Sequence, residues 1–112
     1  MQVPLRITVR HMPQSPALEE RIRDEVAKLE NFNARIVSCY VTIEEIARHK
    51  QQGRRFSVRI DLRIPQHELV VNHKDDEDVY VALKEAFAGA TRQLEGTARR
   101  QRGEVKAHSA RT

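Results

Sequence analysis

The chain has 112 residues, 39% hydrophobic and 32% charged, the make-up of one soluble domain with a single modest core. Its formal charge is +4, and its single cysteine leaves no intrachain disulfide to be made. No segment reaches the roughly 20 consecutive apolar residues of a membrane span. Met1 to Arg6 also lacks the apolar run of a secretory leader, so a cytoplasmic protein is expected.

In chain order, Leu5, Ile7 and Val9 alternate with Arg6, Thr8 and Arg10, the period of a strand with one buried face. Ser15 then stands as an N-cap before Pro16 at the first helical position. Leu18, Ile22, Val26 and Leu29 form one apolar stripe on a helix of about four turns, with Glu19 and Glu20 at its positive end. Asn31-Phe32-Asn33 ends it, with Phe32 expected to pack back under the last turn. A strand follows over 36–45, burying Val37, Cys39, Val41 and Ile43, with the thiol as a small apolar filler. Residues 47–54 are polar and contain Gly53, which predicts a hairpin loop. The clearest strand comes next: Phe56, Val58, Ile60, Leu62 and Ile64 alternate with polar neighbours. A turn at Pro65-Gln66-His67 leads into a short strand over 68–72.

The last helix opens at Asp75 or Asp76, either able to cap it. Its stripe, Tyr80, Leu83, Phe87, Ala90 and Leu94, spans only about 80° at 100° per residue. Gly103 marks its end. The organisation is therefore a domain over 1–103 and a basic, flexible tail over 104–112. The order β-α-β-β-β-α, with one aliphatic and one polar set of strand positions, predicts a two-layer α+β sandwich. A four-stranded sheet would carry both helices on one face and leave the other open.

The charge is unevenly placed. Arg92, Arg99, Arg100, Arg102, Lys106 and Arg111 face only Glu95 and Glu104 in the last 21 residues, a net +4, while the rest of the chain balances. On a helical wheel Lys84, Arg92, Arg99, Arg102 and Lys106 fall within about 80° of one another, beside the apolar stripe. Offsetting the helix dipole accounts for two or three such cations, not for a whole +4 segment. A basic ridge on a balanced domain fits docking on a polyanion, RNA first. The acids 75–78 at the other end of this helix would repel phosphates and read as helix capping. They argue against the double-stranded-RNA-binding mode, in which that end is basic. The polar sheet face carries Arg6, Arg10, Arg55, Arg59 and Arg63 with only Tyr40 for stacking, too few rings for base readout.

Catalysis finds no support. His11, His49, His67, His73 and His108 lack metal-ligand spacing, and there is no phosphate-cradling glycine loop or nucleophile elbow. No enzyme activity, cofactor, metal or small-molecule substrate is expected.

Three stretches in this order, Ser15 to Glu30 (SPALEERIRDEVAKLE), Ile36 to Glu44 (IVSCYVTIE) and Asp78 to Leu83 with Arg92 to Leu94 (DVYVAL, RQL), resemble the ribosome hibernation factor family. Its members are also called ribosome-associated inhibitors and, in older usage, sigma-54 modulation proteins. The resemblance covers residues 5 to 106. It implies a βαβββα factor that enters the small ribosomal subunit between head and body. There it would lie across the decoding channel and inhibit translation in stress or stationary phase. Among matching positions, Lys28 and Arg92 keep a basic residue, and Arg99 and Arg100 lie where the family tends to be polar or basic. Gly89 and Gly96 stand where several relatives have lysine, and Glu19 and Glu25 where some are basic. The chain corresponds to the short kind of member. Charge and resemblance together assign rRNA binding to Lys28, Lys84, Arg92, Arg99, Arg100, Arg102 and Lys106, with Arg21, Arg23, Arg55 and Arg59 as secondary contacts. The alternatives are a protein-interaction module that modulates transcription and an RNA chaperone working through the sheet face.

Overall fold

The computed structural model describes residues 4–32, 35–46 and 53–111, with the side chains of Phe32, Asp75 and residues 98–111 outside that description. The elements run β1 (Leu5–Arg10), α1 (Pro16–Phe32), β2 (Ser38–Ile46), β3 (Arg55–Ile64), β4 (His67–Asp76) and α2 (Val79–Arg111). They form one four-stranded sheet in the order β1-β2-β3-β4. β1 runs parallel to β2, with Ile7 opposite Val41, so α1 is the crossover that a parallel pair requires. β2–β3 and β3–β4 are antiparallel, with Val41 opposite Ile60 and Ile60 opposite Val71.

The sequence pattern places the core. Val41, Ile43, Val58, Ile60 and Leu62 from the strands meet Leu18, Ile22, Val26 and Leu29 of α1 and Leu83, Phe87, Ala90 and Leu94 of α2 in one buried cluster. Both helices therefore lie on one sheet face, and the α+β sandwich expected from the periodicities is the observed architecture. Leu5 and Ile7 are only partly buried against this cluster, as their place on an edge strand dictates. Buried Cys39 fills the core beneath β2. Desolvation, with the Asp61 carboxylate nearby as the smaller cause, pushes its thiol up to about 12.

Ser15 caps α1 as expected. Its hydroxyl accepts the Leu18 N–H at 3.2 Å and its carbonyl accepts the Glu19 N–H at 3.0 Å. The β3–β4 hairpin turns on Pro65 and Gln66, whose φ of 68° in the left-handed region follows a proline, as at the centre of a type II turn.

Five expectations require correction. β4 is not a short strand over 68–72 but continues to Asp76, because β3 offers ladder partners as far as Phe56. The last helix is capped by neither Asp75 nor Asp76. The Asp78 carboxylate accepts the N–H groups of Tyr80 and Val81 at 2.8 and 3.3 Å, and Asp76 instead receives the Asp78 N–H at 3.0 Å. Tyr80 lies outside the apolar stripe, 39% exposed, and Ala82 and Ala86 complete the stripe in its place. Val37, expected inward, is also exposed, since it precedes the strand, which starts at Ser38 rather than at residue 36. The backbone of α2 remains helical past Gly103, to Arg111. The 47–54 loop, apart from Gly53 and Arg54, and the packing of Phe32 lie outside the described residues.

Candidate nucleic-acid interface

The two helices leave between them a groove of about 550 Å³, lined by Arg21, Glu25, Lys28 and Leu29 of α1 and Lys84, Phe87, Ala88 and Thr91 of α2. Its floor is apolar and its rim cationic. The spacing on α1 explains how: Arg21, Glu25 and Lys28 stand at i, i+4 and i+7, one above another on a single face. Glu25 is the organiser, with a side chain only 11% exposed and one oxygen, Oε2, shared by Arg21 Nε at 3.3 Å and Lys28 Nζ at 3.8 Å. Two cations over one carboxylate leave a net +1, and Lys84 adds another from the opposite wall. Lys84 forms no ion pair among the described residues. Lys28 is 72% exposed on a loose contact, and such a pair holds its cation weakly.

Arg92 is separated from this group. It lines a second cleft, of about 540 Å³, between α2 and β4 with Val70, Val71, Asn72, Gly89, Gln93 and Gly96. The basic ridge expected along α2 thus faces two ways over its described part, Lys84 toward α1 and Arg92 toward β4. Glycine at 89 is what lets the helix approach so closely, for a Cβ there would stand 3.1 Å from Val71 Cγ1. Arg99, Arg100, Arg102 and Lys106 continue along the helical backbone, and their side chains lie outside the description.

The secondary positions divide as well. Arg23 is exposed and forms no ion pair among the described residues. Arg59 grips Asp61 through Nε and Nη2 at 3.1 to 3.3 Å, and Arg55 Nη1 lies 3.4 Å from Glu77. Tyr40, the one tyrosine among the described residues of the open face, has Arg6 5.9 Å from its centroid and its hydroxyl 2.9 Å from Thr8 Oγ1. The sheet face therefore carries matched charges at Arg55 and Arg59 beside Arg10 and Lys74, which form no ion pair among the described residues, around a shallow depression lined by Arg10, Tyr40, Thr42, Glu44, Arg59, Asp61 and Lys74, among others. Among the described residues no group of three His, Cys, Asp or Glu side chains stands ready to hold a metal ion.

Sequence reasoning treated Glu25 only as a place where some relatives are basic, and missed that it gathers two cations. The i, i+4, i+7 spacing was the available signal. Gln93 was missed altogether. Its side-chain amide donates to the Val70 carbonyl of β4 at 3.2 Å, a contact that no periodicity announces.

Two solved structures share this architecture. A ribosomal subunit interface protein from Coxiella burnetii matches with a TM-score of 0.72 at 14% identity, over 86% of this chain and 98% of that one. The N-terminal domain of Thermus thermophilus Protein Y matches with a TM-score of 0.65 at 14% identity, over 87% and 99%. At that identity the likeness carries the fold alone. The sequence carries more: a family model described as sigma 54 modulation protein / S30EA ribosomal protein matches residues 5–102. The chain belongs to that family.

Proposed function

We propose that this protein is a non-enzymatic ribosome-binding dormancy factor, which occupies the decoding channel of the small subunit and inhibits translation under stress or in stationary phase. One observation carries the reading. Among the described residues, cations without an ion pair stand on the helical layer, at Lys84, Arg92 and Arg23 with the loosely held Lys28, whereas the arginines Arg55 and Arg59 of the sheet are taken up by carboxylates of their own chain. Phosphates of a folded rRNA are bound by charges that are free to meet them. Of the positions assigned to RNA, those on the helical layer offer such charges and the sheet arginines Arg55 and Arg59 do not, which favours this reading over a sheet-face RNA chaperone. The relatives that share the fold, one of them a ribosomal subunit interface protein, point the same way. We place the binding unit in residues 1–103, with Arg99, Arg100 and Arg102 extending its charged edge, Lys106 in the basic segment beyond, and the cytoplasm as its setting.

The test is co-sedimentation with small subunits across a salt series. Each phosphate contact contributes about 0.7 to 0.9 to the slope of log affinity against log salt, so Lys28, Lys84 and Arg92 changed together to Ala should flatten it by about 2 to 3. Binding that is absent, or equally salt-dependent in the triple variant, would remove the proposal. A protein partner retained from nuclease-treated lysate without ribosomes would favour the transcription-modulating alternative.

A further inference from the structure

β4 is an edge strand of ten residues, paired on one side only. The Val70 carbonyl turns away from β3, since it accepts the Gln93 side chain of α2. By the alternation of an antiparallel ladder, Asn72 presents its backbone N–H and C=O outward as well. The side chains of Glu68, Val70, Asn72 and Lys74 share the open face and are all exposed, Val70 at 42%. Beside them the cleft floored by Gly89 and Gly96 leaves room for a neighbouring backbone.

The charges on this edge are self-complementary. Turn a second copy about a two-fold axis at Val71, and Glu68 of one lies opposite Lys74 of the other, twice, while Val70 meets Asn72. Lys74 has no ion pair among the described residues. Glu68 is held only by an exposed contact with Arg63 at 3.9 Å. The other edge has the opposite character, for pairing β1 with itself about its middle sets Arg6 against Arg10. Like charges placed opposite one another in this way repel, a recognised way of blunting an edge.

We infer that the β4 edge is a self-association surface, on which a second copy of this chain adds antiparallel to form a continuous eight-stranded sheet. The bulge between Phe56 and Val58, where the β3–β4 register slips, limits the ladder at the Lys74 end. The contact is short, so the dimer is weak and concentration-dependent. Gln93 acts as its guard, occupying an acceptor that the incoming strand needs.

Sedimentation velocity on nuclease-treated protein across a concentration series tests this, with hydrogen exchange at the Val70 and Asn72 amides as a second readout. The wild-type chain should dimerise and protect both amides. Glu68→Lys or Lys74→Glu should each weaken the dimer at least about tenfold, since symmetry places the like-charge contact twice. The double exchange should restore it, and Gln93→Ala should tighten it. The three substituted side chains are exposed, and folding is checked by circular dichroism. Wild-type and Gln93→Ala chains that stay monomeric at every concentration would overturn the inference. So would a double exchange no better than the single ones, or protection of the two amides only when an unrelated extended peptide is added.

Discussion

Gly89 sets a helix preference against a packing limit. In a helix interior alanine is favoured over glycine by about 1 kcal/mol. Here the added Cβ would stand 3.1 Å from Cγ1 of Val71, a β-branched side chain with little χ1 freedom to withdraw. Overpacking of this kind costs about 1–3 kcal/mol, so Gly89→Ala should change stability by between about zero and −2 kcal/mol. Removing the obstacle reverses the sign: with Val71→Ala in place, Gly89→Ala should stabilise by about 1 kcal/mol. The assay is urea unfolding of the four proteins of the double-mutant cycle, and a coupling of at least about 1 kcal/mol is expected. If Gly89→Ala stabilises equally in both backgrounds, α2 does not lean on β4 as described.

Asp78→Ala removes the acceptor for two orphan amides at the start of α2 and should cost about 1 kcal/mol in thermal or urea unfolding. The Asp76 carboxylate is held below its ordinary range, first by the Asp78 N–H and then by the His73 ring. Its folded pKa being depressed, the stability it supplies is complete above its unfolded pKa and is lost as pH falls through the lower, folded value. Asp76→Asn should therefore flatten the acid limb of a stability–pH curve, and an unchanged limb would rule out that linkage. Cys39, buried and with its thiol pushed up to about 12, should resist iodoacetamide at pH 8 in the folded protein and react once urea unfolds it. Gln66→Gly should be neutral or stabilise by up to about 1 kcal/mol, since φ of 68° suits glycine better; a marked loss in unfolding assays would show Gln66 making contacts that outweigh its strain.

Local pattern carried far in this chain. The alternation from Phe56 to Ile64 and the stripe Leu18, Ile22, Val26 and Leu29 each encode which face is buried, because burial of apolar side chains repeats with the geometry of the element itself. Ser15 before Pro16 encodes a cap, since both bond partners lie within four residues. Element order and the two-layer sandwich follow from these, as does the unequal placement of charge. Contacts between elements have no such local signature. Asp75, Asp76 and Asp78 compete for one helix start on equal chemical terms, and the choice fell to Asp78 because β3 draws β4 out to Asp76. The same holds for the basic residues: composition counts Lys84, Arg92, Arg55 and Arg59 alike. Arg59 meets Asp61 two residues along its own strand, but only the assembled sheet brings Arg55 onto Glu77, and only the packing of α2 between α1 and β4 points Lys84 and Arg92 in different directions. Charge content is a property of the chain, whereas which charges remain free depends on distances that exist only after it has folded.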